Sequence, residues 1–523
     1  MGIPSYFSYI VKNHGSIIRR INALKDPVNN LYLDSNSIIY DIYRNVPTEG
    51  KSKKVYEGDI IKGVIDKIIE YINNVKPKDN ILIAFDGVAP VAKLEQQRNR
   101  RYKSMFEKQF MKANDPTYKE HSWDQTAITP GTDFMNELGR TISEYFKTNK
   151  FTAKNVMVSD VNDAGEGEHK IFEYIRNNSE KHKRKISLVY GLDADLIMLA
   201  LNHLPISKGI YLYRETPHFI KNINSSLDPE EQYILNIPEL ADAISNELSN
   251  YRKINSKQKD RRLYDYILIC MFLGNDFMPH IPSVNIRTTG INILLNAYKE
   301  TIGSTNEYLM DGTRINWKNV RKLVEVLKRD EYENLTKEYH LRRRLEKVNY
   351  NNDEFSDKFQ SIPIKNREKE EYINPFERGW ETRYYKTLFD VDITQERKKE
   401  ICINYLEALE WTIKYYTKEC YDWGWHYRYN YAPLMKDLLD FIPVFDTEFV
   451  SKKPKQPLEP LQQLSYVLPY KSLYLLPENA REYLLKNHSE WYGKDCEFQW
   501  AFCKYFWESH VIMKTIDISK LPK

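Results

Sequence analysis

From the amino terminus to about Tyr298, apolar runs of strand length alternate with stretches of helical periodicity. Leu31-Tyr32-Leu33 runs into Asp34, and Ile81 to Phe85 stops at Asp86. Val156-Met157-Val158 leads to Asp160 and then to the loop Gly165-Glu166-Gly167-Glu168. Leu188-Val189-Tyr190 is followed by Asp193 and Asp195. Short apolar runs of this kind predict buried strands. Ile61, Val64, Ile65, Ile68 and Ile72 mark a helix with Asp59 as candidate N-cap, placed where a right-handed crossover between the Asp34 and Asp86 strands belongs. Gly165 to Ile175 predicts a helix start that carries Glu168 in its first turn and turns Ile171, Tyr174 and Ile175 to the core. A helix-like segment, Ile267 to Leu273, breaks at Gly274-Asn275 and presents Asp276. The pattern predicts an α/β domain with a mixed, largely parallel central sheet flanked by helices.

The pattern then changes. From Lys318 to Glu371 the chain is charge-dense, with Arg342-Arg343-Arg344 and the polar tract Asn349 to Asp353. A helix or two and a mobile connection are expected, with the charges on a solvated face. After Tyr372 aromatic residues gather. Leu406, Leu409 and Ile413 share helical spacing and read as core; the Trp423-Gly424-Trp425 turn is less easily explained that way, and a stacking platform for bases is the functional alternative. Pro454 to Lys523 reads as folded, and there is no internal repeat. The expected division is 1–310, 311–371 and 372–523, the last a mostly helical region packed on the first.

Sites in open α/β sheets form outside the carboxyl ends of parallel strands, so the strand-end acids are expected to converge. One such Asp is ordinarily a turn former or cap. Several segments, two with doubled acids, are poorly explained that way. Asp34, Asp86, Glu166, Glu168, Asp193, Asp195 and Asp276 in close company repel one another unless protonated or neutralised. Oxygen-only ligation points to Mg2+ or Mn2+, and seven acids exceed what one Mg2+ needs, so two ions are expected. Beyond Asp86, Lys93, Gln97, Arg100 and Arg101 recur at i, i+4, i+7 and i+8, one face of a helix. A solvated basic helix is the bland reading. An acid held beside cations and an amide is what metal-assisted chemistry on a phosphate needs.

Composition sets bounds. The 523 residues, 41% hydrophobic and 29% charged, are those of a soluble globular protein of one large unit or two to three domains. A net charge of +4 does not by itself identify a nucleic-acid binder. The 39 tyrosines offer stacking surfaces, or reflect an AT-rich genome. The five cysteines form no C-x-x-C pair, which argues against a zinc site or disulfide framework and for a reducing compartment. A membrane span, a signal peptide and myristoylation are not expected; Tyr6 stands where the last needs Ser or Thr.

The segments, in their order, resemble the XRN family of 5′→3′ exoribonucleases. MGIPSYFSYI, NLYLDSNSIIY, FDGVAPVAKLEQQRNRR, ITPGTDFM, DAGEGEHKIFEYIR, YGLDADLIMLAL and FLGNDFMPHIP look like that family's first conserved region. GWETRYYK, LEWTIKYYTKECYDWGWHYRYNYAP and PLQQLSYVLP resemble its second. The resemblance implies a PIN/flap-nuclease-like core in which the seven acids bind metal and serve catalysis. It implies that Lys93, Gln97, Arg100 and Arg101 form the pocket for an RNA 5′-monophosphate, and that single-stranded RNA is released as nucleoside 5′-monophosphates in decay or processing. A monomer in the cytoplasm is expected, with the nucleus and a viral replication compartment as alternatives.

This chain departs from the family at Tyr40, where a base-stacking His is usual, and at Ala164, where Pro is usual. A Tyr ring also stacks; its partner is Trp423 or Trp425. The chain ends where the family's conserved core ends, which suggests a minimal member, viral or from a reduced lineage. Two rivals stand: a flap-endonuclease-type DNA nuclease, whose helix–hairpin–helix is not seen after Asp276, and a non-catalytic RNA 5′-end scaffold.

Overall fold

The computed structural model describes residues 2–24, 26–215, 223–228, 231–348, 355–454 and 456–523. Seven strands form the central sheet: β1 (Ile18–Arg20), β2 (Asn30–Asp34), β3 (Asn80–Ala84), β4 (Asn155–Ser159), β5 (Ile186–Tyr190), β6 (Gly209–Glu215) and β7 (Gln232–Asn236). Their spatial order is β1-β7-β6-β5-β2-β3-β4, with β7 alone running against its neighbours. The order reverses at β2: the chain first winds outward through β3 and β4, then returns to lay β5 against the other edge of β2. A crevice at the carboxyl ends of β2 and β5 follows from that reversal.

Alternation along each strand separates two cores. Leu31, Leu33, Ile81, Ile83 and Leu188 face one side with Ile60, Val64 and Ile68. Tyr32, Leu82 and Val189 face the other, with Tyr6, Phe7, Leu196 and Ile197. The helices that cover the sheet and frame the site are α1 (Tyr6–Asn13), α2 (Asn36–Asn45), α3 (Lys53–Val75), α4 (Val91–Asn114), α5 (Asp133–Thr148) and α6 (Gly167–Asn177).

The crossover helix α3 starts earlier than its apolar face suggests. Ser52 is its cap, accepting from the Val55 amide, and Asp59 lies inside the helix, paired with Lys51 at 2.7 Å. Tyr56 extends the buried face by a turn, which is why the helix begins there.

The charge-dense stretch contains a 30-residue helix, Trp317–Glu346, capped by Asn316. Its apolar stripe, Trp317, Val320, Val324 and Leu327, joins the same core as Ile267, Leu406 and Leu409. The expected solvated face holds for one side only. Glu331, Glu338 and Arg342 are buried, and Arg342 donates to both oxygens of Glu370 at 2.9 and 2.5 Å. The interleaved charges mask the stripe because they pair with one another inside. The tract Asn349 to Asp353 lies outside the described residues. Further on, Gln395–Thr417 is buried on nearly every side, and the tail includes the antiparallel pair Glu497–Gln499 and His510–Ile512. Among the described residues, no helix is long and apolar enough to cross a membrane.

Candidate active site

The register sets the site. Asp34 closes β2 opposite Ala84, so Asp86, two residues past β3, emerges beside it. Asn36 at the start of α2 bridges the two strand ends, donating to Asp86 Oδ2 at 2.7 Å while its Oδ1 accepts the Asp86 amide at 3.0 Å. The amide of Gly167, first residue of α6, donates to Asp86 Oδ1 at 2.7 Å. A side chain there is excluded, because a Cβ would lie 2.6 Å from Asp34 Oδ1. Glu166 and Glu168 therefore enter from the amino end of α6, where the helix dipole favours anions. Asp195 opens the helix Asp195–His203 and accepts from the Ile3 amide at 3.2 Å. Asp276 follows a turn that needs Gly274 at φ +80° and accepts from Lys93 Nζ at 2.8 Å and Gln96 Nε2 at 3.4 Å.

The acids feel one another. Burial, then the carboxylates of Asp86, Asp193 and Glu166, hold Asp34 well above the usual range. Burial, then Glu166, with Asp193 and Asp195 behind it, does the same to Glu168. Asp195 is pushed up to about 7 by burial first and Asp276 next. At Asp276 burial is again the largest influence and pushes upward, but the Lys93 ammonium, by charge and by hydrogen bond, together with other nearby positive charge holds this carboxyl below its ordinary value. These overlapping fields link Asp34, Asp86, Glu166, Glu168, Asp193, Asp195 and Asp276 into one cluster. Asp160, the remaining strand-end acid, is a turn former that accepts from the Asn162 amide at 2.9 Å.

The donor set fits hard divalent cations. It is rich in carboxylate oxygens, and Glu168 Oε2 is buried with no hydrogen-bond partner. Donor atoms of Glu166, Glu168 and His169 also lie within 4.8 Å of one another. His169 stacks on Tyr415, ring centroids 3.7 Å apart at 18°; neither of its ring nitrogens has a hydrogen-bond partner, and Nε2 lies 4.0 Å from Glu168 Oε1.

The basic face of α4 divides in two. The Lys93 ammonium sits among the acids, bridging Glu166 and Asp276. Gln97 and Arg101 are buried one and two turns further on, and Gln97 Oε1 and Arg101 Nη1 have no partner. Arg100 is exposed beside them. Burial pulls Arg101 down to about 10, against the nearby Tyr40 hydroxyl. Tyr40 is half-buried and meets Tyr43 edge-on at 6.2 Å.

The two tryptophans of the turn are also separated. Trp425 stacks on Trp411 with centroids 5.1 Å apart at 23°, and its Nε1 points to Glu407 Oε2 at 3.4 Å, so its ring is spent on packing. Trp423 is half-buried and its carbonyl accepts the Val91 amide at 2.9 Å, which sets it against the first turn of α4.

Several supporting residues escape a reading based on strand ends. Besides Asn36, Lys170 donates to the carbonyls of Phe85 and Asp160, both at 2.7 Å, tying the ends of β3 and β4. Tyr415 reaches across from the second region to Glu166 Oε1 at 3.1 Å. The one sequence signal was proximity: Asn36, His169 and Lys170 each lie within two residues of a site acid.

A sheet whose switch point gathers carboxylates beside a buried cationic helix face defines an α/β nuclease core. Residues 1–216 match the family model for the XRN 5′-3′ exonuclease N-terminus, and residues 256–372 and 360–523 match the Xrn1 helical domain. The chain belongs to the XRN family of 5′→3′ exoribonucleases, hydrolases of RNA. It is 26% identical to a 5′-3′ exoribonuclease 2 of Gallus gallus, with all of this chain and 69% of that one covered. It is 26% identical to the Arabidopsis thaliana exoribonuclease 2, covering 66% of it, and 27% identical to the Saccharomyces cerevisiae exoribonuclease 1, covering 43%.

Proposed function

We propose that this chain degrades single-stranded RNA bearing a 5′-monophosphate, one nucleotide at a time, to nucleoside 5′-monophosphates. The observation that carries the reading is that one helix runs from the acid cluster, at Lys93, to the buried Arg101, whose Nη1 has no hydrogen-bond partner. Buried polar atoms without partners are rare and call for a ligand. A phosphate supplies acceptor oxygens to the guanidinium fork of Arg101 and to the Gln97 amide.

Asp34, Asp86, Glu166, Glu168, Asp193, Asp195 and Asp276 would hold the cations, which we read as two Mg2+ or Mn2+. Such ions, when bound, would make a coordinated water more acidic and offset charge on the scissile phosphate and the leaving 3′-oxygen. The chain's residues do the placing. Gln97 lies four residues past Lys93, roughly 6 Å along the helix axis. An anion gripped by Gln97, Arg100 and Arg101 therefore stops the strand with its next linkage against the acids. Tyr40 beside Arg101 and Trp423 beside the first turn of α4 are the aromatic faces that stack on the first bases. Cleavage exposes a new 5′-phosphate, which the same pocket accepts, so the strand advances without release. The five cysteines are free thiols, which fits the cytoplasm, and we read the chain as acting as a monomer.

One RNA carrying a 5′-monophosphate, triphosphate, cap or hydroxyl, digested in Mg2+ and in EDTA beside a DNA flap, tests this. The expected result is stepwise release of mononucleotides from the monophosphate RNA alone, abolished by EDTA and by Asp193→Ala. Equal decay of the hydroxyl RNA, or preference for the flap, overturns the reading.

A further inference from the structure

Lys93 is claimed twice. Its place on α4, one turn before Gln97, puts it on the phosphate-facing side of the helix. Its ammonium, however, is buried among carboxylates, ion-paired with Glu166 and at 2.8 Å from Asp276. Both partners belong to the set that fits divalent cations. A carboxylate oxygen directed at an ammonium is poorly placed for a divalent ion, so the two compete for Glu166 and Asp276. The helix offers the displaced ammonium an alternative. The lysine stem is long and flexible, the unpartnered Arg101 Nη1 marks an anion site further along the helix, and the unpartnered Gln97 Oε1, one turn away, can accept from the displaced ammonium.

We propose that Lys93 couples the two halves of the site: divalent ions at the acids release its ammonium to the 5′-phosphate, so that metal loading and recognition of the phosphorylated end strengthen each other. The phosphate pocket is then complete only when the acids hold their ions, and an RNA end is gripped most firmly by a site able to cut it. Thermodynamic linkage makes the effect reciprocal: a bound 5′-phosphate must tighten the divalent ion by the same factor. The inference rests on the 5′-phosphate reading given above and adds to it how the pocket is switched.

Binding, not turnover, tests it. Anisotropy of an oligoribonucleotide whose first linkage resists hydrolysis, with a 5′-phosphate or a 5′-hydroxyl, is measured on the full chain in EDTA and in saturating Ca2+. For the unmutated protein the phosphate-over-hydroxyl preference is expected to grow about tenfold on adding Ca2+, within the usual range of coupling between sites. In Lys93→Met and Lys93→Gln the preference supplied by Arg100 and Arg101 remains but no longer responds to Ca2+. A Ca2+ titration of the unmutated protein with and without a nucleoside 5′-monophosphate checks the reciprocal factor without any variant. A preference that Ca2+ leaves unchanged, or the same gain in the Lys93 variants, overturns the coupling alone. Absence of any 5′-phosphate preference in both buffers overturns the phosphate pocket itself.

Discussion

Asn36 and Asp86 hold each other by two hydrogen bonds, the Asn36 amide donating to Asp86 Oδ2 at 2.7 Å and its oxygen accepting the Asp86 backbone N–H at 3.0 Å. The pair locks the ends of two parallel strands and fixes how one carboxylate of the cluster faces the rest. Outer partners of metal-binding carboxylates are worth about 10- to 100-fold in activity or metal affinity. Asn36→Ala is expected to lower kcat by that order and raise the Mg2+ concentration for half-maximal rate, with KM for RNA little changed. Asn36→Asp is expected to be worse, since it sets a carboxylate against Asp86. Steady-state kinetics across a Mg2+ titration decide; a change in KM alone would assign Asn36 to RNA binding instead.

Trp423 and Trp425 stand two positions apart yet sit in different surroundings. Trp425 closes over Trp411 in the core, so Trp425→Ala is expected to cost about 2 kcal/mol of stability, a discounted value for a half-buried tryptophan. RNA affinity of the folded fraction is expected to hold. Trp423→Ala leaves the core intact and is expected to weaken RNA binding by about 1–3 kcal/mol, the worth of one base stacked on an aromatic ring. Thermal melts and anisotropy on both variants separate the two roles. A stable Trp425→Ala that binds RNA poorly would reverse the assignment.

How far the sequence reaches depends on whether a feature is written locally. The strands β2, β3, β4 and β5 are each an apolar run with an acid at or within a few residues of its end, and all four are found as strands, although β4, at the sheet edge, is half-buried rather than buried. The place of Lys93 among the acids is not local: the spacing shows a helical face, but only the fold shows that its first member meets Asp276, 183 residues away. Tyr415 and Glu166 are 249 residues apart and carry no shared signal. Trp423 and Trp425 are alike in composition, and only the position of Trp411 tells them apart. The strands β1 and β7, at the antiparallel end of the sheet, are short or flanked by polar residues, so periodicity does not single them out. The buried charges of the helix Trp317–Glu346 defeat the rule that charge means solvent, because their partners come from elsewhere in the chain.

Those buried charges make a second kind of prediction. Glu370 is clamped between Arg342 and Arg367, with all three side chains at 2% exposure or less. Glu370→Ala removes the anion that two buried guanidinium groups share, leaving Arg367 its pairing with Glu346 at 3.2 Å and Arg342 the Cys503 carbonyl; breaking a buried pair typically costs about 3–5 kcal/mol. The melting temperature is expected to fall sharply, while the rate per folded molecule changes little, because the triad's bonds run to one another, to Glu346 and to the Cys503 carbonyl. Denaturant unfolding followed by active-site titration measures both quantities. A loss of under about 1 kcal/mol would mean that water reaches the triad.

Stability should depend on pH differently with and without divalent ions. Asp34 and Glu168 are held well above the usual carboxylate range, by burial first and neighbouring carboxylates next, and Asp195 is raised to about 7. A carboxyl raised on folding binds its proton more tightly in the folded chain. Its contribution is therefore lost as pH rises from the unfolded value near 4 through the folded one. Histidines 169, 203, 280 and 510 act the other way: burial pushes each down, so their contribution is lost as pH falls below about 6.5. Between pH 7 and 8.5 the histidines are silent in both states. Lys103 and Lys170, each pulled down to about 8 by burial, titrate there with the opposite sign in both buffers; the melting temperature is therefore expected to fall more, or rise less, across that interval in EDTA than in Ca2+, and Asp195→Asn should reduce the difference. In saturating Ca2+ the acids' share should flatten or reverse, because ions replace protons and bind more tightly as the acids ionise. Melting curves in the two buffers share the same histidines and lysines, so their difference isolates the acid cluster. Parallel curves would show that the seven carboxylates do not act as one site.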